Sequence, residues 1–257
     1  MIDAILWDVD GTLAESERDG HRVAFNRAFE ALGLPWRWGV ERYGELLRIT
    51  GGRERLLADM TSRADAPQLA GEREALAREL HRRKNGFYAE LVGAGAVALR
   101  AGVRELIDEA AARGVRQGIA TTTSRVNVDA LLRRPFGEQW SRHFAVVVCG
   151  EDVSSKKPDP QVYREALRGL ALGPLQTLAI EDSPGGVAAA RAAEVPVVVT
   201  RSTYFPHDTV EGAIAIGPGL HTREGWRPAP RGAVDARITL DDLCDWHARM
   251  ELVSQFG

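Results

Sequence analysis

Little cysteine, no long apolar run and almost no net charge mark this 257-residue sequence, and each shortage excludes a class of protein. Cys149 and Cys244 stand far apart without a Cys-x-x-Cys pair, which excludes a disulfide framework and a cysteine zinc site and suits a reducing compartment. No stretch approaches the roughly 18 apolar residues of a membrane span, and Asp3 sits where a signal peptide would carry positive charge. A formal net charge of -3 leaves no electrostatic reason to expect nucleic acid or an anionic membrane as the main partner. A Gly-x-Ser-x-Gly elbow, a His-Glu-x-x-His pair and a Walker loop are all missing. What is there is 44% hydrophobic residues, enough for a sizeable core and a second, smaller unit. The expectation is a cytoplasmic, globular, monomeric protein.

Short apolar runs alternate with helical patterns. Ile2 to Trp7, Val115 to Ala120, Phe144 to Val148, Thr177 to Ile180 and Val195 to Val199 read as buried strands of a parallel sheet covered on both faces. Val103, Leu106, Ile107, Ala110 and Ala111 fall on one helical face before Gly114, and Val162, Ala166, Leu167 and Leu170 mark another. Ala188 to Ala193 is small enough to lie close to a sheet. The alternation predicts an open, Rossmann-like α/β fold. One connection breaks it: some 90 residues separate the first strand from Val103, where a parallel crossover needs only about a dozen. They carry helical stripes at Phe25, Ala28, Phe29, Leu32 and at Leu76, Leu80, Phe87, Leu91. This predicts a helical cap inserted at 16–95, with 1–15 and 96–257 forming the α/β core. Residues 218–237, rich in Gly, Pro and Arg, read as loop, and Thr239 as the cap of a last helix.

The chemistry gathers at strand ends, where open α/β sheets bind ligands. Asp8 and Asp10 close the first strand, on the same side by period-two alternation, and Gly11-Thr12 follow. Glu181-Asp182 closes a second strand. Converging carboxylates need cations, and magnesium suits an all-oxygen set. Lys157, after the strand ending near Val148, supplies another charge. Thr121-Thr122-Thr123-Ser124, past Ala120, offers hydroxyls and free N–H groups as a phosphate cradle.

In this order Asp8-x-Asp10-Gly11-Thr12, Thr121, Lys157-Pro158 and Glu181-Asp182-Ser183 resemble the four motifs of the haloacid dehalogenase-like phosphatase superfamily. The resemblance implies Asp8 as nucleophile, forming an aspartyl-phosphate, and Asp10 as general acid and then base. It implies magnesium on Asp8, the main-chain carbonyl of Asp10 and Asp182, with Glu181 supporting, and the phosphoryl oxygens bound by Thr121 and Lys157. The helical insert resembles the cap of the phosphoglucomutase-like branch. Leu13-Ala14-Glu15-Ser16, Tyr43-Gly44-Glu45, Thr50-Gly51-Gly52-Arg53, Tyr204-Phe205-Pro206, Gly217-Pro218-Gly219 and Gly225-Trp226 narrow it to CbbY-type proteins. That branch implies a sugar bisphosphate, xylulose 1,5-bisphosphate first, in autotrophic carbon fixation. Ala101 departs from the pattern, for relatives often carry Pro at this return hinge.

A bisphosphate needs a second anion site. Glycines let backbone approach closely and Arg offers a planar fork, so Thr50, Gly51, Gly52 and Arg53 fit that site from the cap. Ser124 and Arg125 fit it from the core. Glu17 and His21, near the hinge, are candidates for sugar hydroxyls; the run His81-Arg82-Arg83-Lys84 reads as a solvated helix face, from which the resemblance alone implies Lys84 as a cap contact. Two other readings stay open: a sugar-phosphate mutase of the same architecture, or a phosphatase for another small phosphometabolite. A non-catalytic binding module is disfavoured because nucleophile, acid/base, lysine and metal acid are all present.

Overall fold

The computed structural model of the chain describes residues 2–232 and 236–256. Strands β1 (Ala4–Trp7), β2 (Arg116–Ala120), β3 (Val146–Val148), β4 (Thr177–Glu181), β5 (Val197–Thr200) and β6 (Ala215–Gly217) form one parallel sheet ordered β3-β2-β1-β4-β5-β6. β1 lies in the middle, with Trp7 level with Ile119 on one side and Ile180 on the other. The five expected runs become β1 to β5, four with shortened starts and β4 starting at Thr177 as expected. Val115 and Val195 instead donate their N–H groups back to Ala110 O and Ala190 O, closing the helices before them. β6 was not expected: three residues carry too little pattern to separate from loop.

Between β1 and β2 run α1 (Arg22–Ala31), α2 (Val40–Leu46), α3 (Gly52–Thr61) and α4 (Ala70–Gly93), with no strand among residues 17–93. Around the rest of the sheet pack α5 (Val103–Ala112), α6 (Arg125–Phe136), α7 (Gln161–Leu170), α8 (Pro184–Ala192) and α9 (Leu240–Phe256). Strand alternation divides the core: Ile5 and Trp7 face a cluster with Leu106, Val128 and Leu243, while Ala4 and Leu6 face Val162, Leu167 and Val187. The inserted helices have their own apolar cluster, built on Phe25, Phe29, Trp38, Tyr43, Leu56 and Leu80. Each such large side chain, fully buried, stabilises by about 1.5–3 kcal/mol.

The chain leaves and re-enters the sheet region side by side, for Ala14 bridges Leu99 and Arg100 N–H donates to Leu13 O at 2.8 Å. At the start of α9 Thr239 stands at the expected cap position, directly before Leu240, with its carbonyl accepting from Leu243 N–H. The Asp242 carboxylate reaches back to accept from the Thr239 N–H and hydroxyl, at 2.9 and 3.0 Å. Of the stretch 218–237, the described part is loop apart from an Arg227 bridge to Ile216, and residues 233–235 lie outside the described residues.

Candidate active site

Parallel pairing brings the carboxyl ends of β1, β2 and β4 to one edge. Asp8 prolongs β1 there, its N–H donating to Ile180 O at 3.0 Å. Lys157, from the loop after β3, uses its three ammonium donors on Asp8 Oδ1 (2.7 Å), Glu181 Oε1 (2.6 Å) and Ala120 O (2.9 Å). Glu181 Oε1 also accepts from the Tyr163 hydroxyl of α7 at 2.6 Å. Ser183 accepts from Gly186 N–H at 3.1 Å, and Pro184 opens α8, so the segment just after Asp182 is fixed by a helix start.

Asp8, Glu181 and Asp182 are buried, and each contributes an oxygen to a group lying within 4.8 Å. At that separation each like-charged pair repels by about 3 kcal/mol at an effective dielectric near 20. Burial, opposed by Lys157 and reinforced by Glu181, pushes Asp8 up to about 7. Burial, then Asp8 and Glu181, push Asp182 well above the carboxylate range. Lys157 moves the opposite way to a buried lysine: burial lowers it, but Asp8 and Glu181 outweigh that and raise it. One ammonium among three buried carboxylates leaves negative charge over, and the oxygen-only donor set fits a hard divalent cation. Gly11, at φ +89°, completes the fit, since a Cβ there would overlap the Asp182 carboxylate.

Asp10 has different partners. Its carboxylate accepts from Ser16 Oγ and lies 2.9 Å from His21 Nε2, and the His21 ring stacks on Tyr88 at 4.0 Å. Burial works to raise Asp10, but His21 and Ser16 outweigh it and hold it below the carboxylate range. Asp8 and Asp10 therefore share a crevice while their carboxylates serve different neighbours.

The crevice has two adjoining compartments. A small one of about 80 Å³ is lined by Asp8, Thr121, Lys157, Asp182 and Thr50 among others. A larger one of about 440 Å³ is lined by Gly52, Arg53, His81, Lys84, Ser124 and Lys156 among others. Asp10, Glu17, Gly51, Arg55 and Thr122 line both and form the passage between them. Lys84 is pushed down to about 8 by burial, although Asp10 and Glu17 pull it back up. Burial, then Lys84 and Lys156, bring His81 to about 3.

Among the residues singled out in the sequence, Glu17, His21, Thr50, Gly51, Gly52, Arg53, Thr122, Thr123 and Ser124 all reach one compartment or both. Glu17 accepts from the Tyr43 hydroxyl at 2.5 Å, and His21 is engaged by Asp10. Arg125 does not join them. Its guanidinium bonds Asp152 at 2.5 Å and Val147 O at 3.1 Å, because the first turn of α6 turns its side chain away. Unforeseen are Arg55, His81, Glu54 and Lys156 on the larger compartment and Tyr163 under Glu181. Tyr163 had a readable signal, a hydroxyl on the apolar stripe of α7 that needs a buried acceptor. Arg55 is buried against the Tyr43 hydroxyl (3.0 Å) and Leu46 O (3.1 Å), a placement set by tertiary packing.

A family model for haloacid dehalogenase-like hydrolases matches residues 2–194, and the chain belongs to that family. Among individual relatives it is 46% identical to the protein CbbY of Rhodobacter capsulatus over 82% of this chain and 90% of that one. It is 40% identical to the plasmid-borne CbbY of Cupriavidus necator over 95% and 96%. A variant of CbbY from Rhodobacter sphaeroides, solved in complex with xylulose-(1,5)bisphosphate, superposes with a TM-score of 0.76 at 41% identity, covering 83% of this chain and 92% of that one.

Proposed function

We propose that this chain is a magnesium-dependent phosphatase that removes one phosphate from a sugar bisphosphate, xylulose 1,5-bisphosphate in the first place, through an aspartyl-phosphate on Asp8. The observation that carries the reading is the paired crevice. An acid group with one ammonium opens directly into a compartment edged by Arg53, Arg55, Lys84 and Lys156. A single phosphate would need only the first. We read residues 16–95 as the cap and 1–15 with 96–257 as the core, so that the compartments meet where the two face each other. The CbbY relatives, one of them bound to xylulose-(1,5)bisphosphate, support the same substrate class.

In this reading Asp8 attacks phosphorus while Lys157 and the Thr121 hydroxyl hold the phosphoryl oxygens and offset their charge. Asp8 and Asp182, backed by Glu181, would hold magnesium, which when bound supplies positive charge opposite the acid group. Asp10 lies on the passage, where the ester oxygen joins phosphoryl group to sugar. It protonates the departing alkoxide and then takes a proton from the water that releases phosphate. The His21 and Ser16 bonds hold the proton affinity of Asp10 down, so loss of those bonds would raise it. Arg53, Gly51, Gly52 and Ser124 receive the second phosphate, and Glu17 and His21 face the sugar hydroxyls.

The test is phosphate release from a panel of sugar bisphosphates, sugar monophosphates and phosphoglycolate, with and without magnesium. Magnesium-dependent release, fastest on a 1,5-bisphosphate and needing no phosphorylated co-activator, is expected. Equal rates on mono- and bisphosphates would remove the second-phosphate assignment.

A further inference from the structure

Arg100 stands where the chain returns from the inserted helices to the sheet, and its side chain is largely buried. The guanidinium places its donors on main-chain carbonyls from three separate parts of the sequence. Nη1 donates to Gly11 O, and to the carbonyl and hydroxyl oxygens of Thr200 at 3.4 and 3.2 Å. Nη2 donates to Arg201 O at 2.5 Å and to Pro218 O at 3.1 Å, and Nε lies 3.6 Å from Glu15. The acceptors are themselves fixed. Arg201 N–H donates to Gly217 O at 2.8 Å, and beyond Pro218 the Trp226 Nε1 donates to Gly219 O at 3.2 Å and Ile238 N–H to Leu220 O at 2.8 Å.

The Gly11 carbonyl links this fork to the acid group. Arg100 grips one turn twice, its own N–H on Leu13 O at 2.8 Å and its guanidinium on Gly11 O. Gly11 in turn lies so close to Asp182 that a Cβ on it would overlap the carboxylate. Burial lowers the proton affinity of Arg100, opposed by Glu15 and Asp182, so the Asp182 charge is felt at the fork. We propose that Arg100 is a positioning residue for the metal end of the crevice: by holding the Gly11 turn against Asp182, it keeps that carboxylate where it receives magnesium. The inference rests on the reading of Asp182 as a magnesium ligand. It also gives the segment after β6 a part in the site, as one support of the fork. The shape of the side chain is what counts. A planar fork reaches several carbonyls at once, whereas a lysine ammonium keeps the charge but gathers its three donors at one point.

Magnesium affinity is measured by calorimetric titration of wild type, Arg100→Lys and Trp140→Phe, with circular dichroism melts to show that each is folded. Trp140→Phe is the destabilised control, since it loses the bond from Trp140 Nε1 to Asp129 at 2.9 Å. Arg100→Lys should bind magnesium at least about tenfold more weakly, the scale on which groups that orient metal ligands act. Trp140→Phe should melt lower yet bind as wild type does. Unchanged affinity in folded Arg100→Lys overturns this inference alone. Equal weakening in Trp140→Phe overturns it too, because affinity would then follow stability. A wild type that binds no magnesium overturns the metal reading and this inference with it. If Arg100→Lys does not fold, Thr200→Val carries the test. It withdraws one acceptor from Nη1 at nearly constant shape and should weaken magnesium at least about threefold, the worth of one hydrogen bond; unchanged affinity overturns the proposal equally.

Discussion

The two ends of the crevice are charged in opposite senses, and they handle that charge differently. At the sheet edge three buried carboxylates lie together, and two of them, Asp8 and Glu181, bond Lys157. Burial, with Glu181 adding to it against Lys157, lifts Asp8 to about 7, and the surplus calls for a cation. At the far end Arg53 is exposed, Lys84 is buried and held near 8, and the Lys156 ammonium lies 3.6 Å from Glu54, an arrangement open to an incoming anion. The first end crowds like charges together; the second is loosely balanced by neighbouring acids. In the proposed function chemistry belongs to the crowded end and anchoring of the second phosphate to the balanced one.

Asp8→Asn breaks the contrast most severely. It should abolish phosphate release, by at least about 10⁴-fold, while removing one of three crowded charges. The metal-free variant should melt higher than wild type by a few degrees, about 2–4 °C per kcal/mol for a chain of this size. A lower melting temperature would mean that the Asp8–Lys157 bond outweighs the repulsion. Next in size, chelation should stop turnover reversibly. Magnesium should raise the melting temperature of wild type but not of Asp182→Asn, a comparison that reads binding without relying on activity.

The far end responds more mildly. Arg53→Ala should lower kcat/KM for the bisphosphate by about 10²-fold, the worth of a charged hydrogen-bonding pair, and change an aryl phosphate by less than about threefold. Equal losses would take Arg53 off the second phosphate. The smallest effect is a pH profile. Lys84 is charged below about 8 and loses its proton above it, so KM for the bisphosphate should rise as pH passes 8. Lys84→Arg, which stays charged, should flatten that rise.

How far the sequence could be read follows the same division. β1 to β5 were legible because strands buried on both faces are continuous apolar runs, as Val197-Val198-Val199 is. The acids and lysine at the sheet edge were legible as short motifs because each is rigidly tied to a strand end. The far end is made from helix faces whose direction depends on packing. Within His81, Arg82, Arg83 and Lys84 the residue pattern alone does not separate one basic group from another, and only the family resemblance picked out Lys84, which is buried under Tyr88 and Phe25 while Arg82 is exposed. Arg125 follows Ser124 directly, but one helical step turns it out to Asp152. Phe205 lies in a loop, where no periodicity marks it as lining the small compartment. β6 is only three residues long, and what places it is its pairing with β5.

The most direct measurement is calorimetric titration of the magnesium-loaded Asp8→Asn protein with a sugar 1,5-bisphosphate and with its monophosphate. If one end takes the phosphoryl group and the other anchors the second phosphate, the bisphosphate should bind at least about 100-fold more tightly, a difference near 2.7 kcal/mol. Arg53→Ala in the same background should erase most of that gap. Equal affinities for the two sugars would contradict a crevice divided in this way.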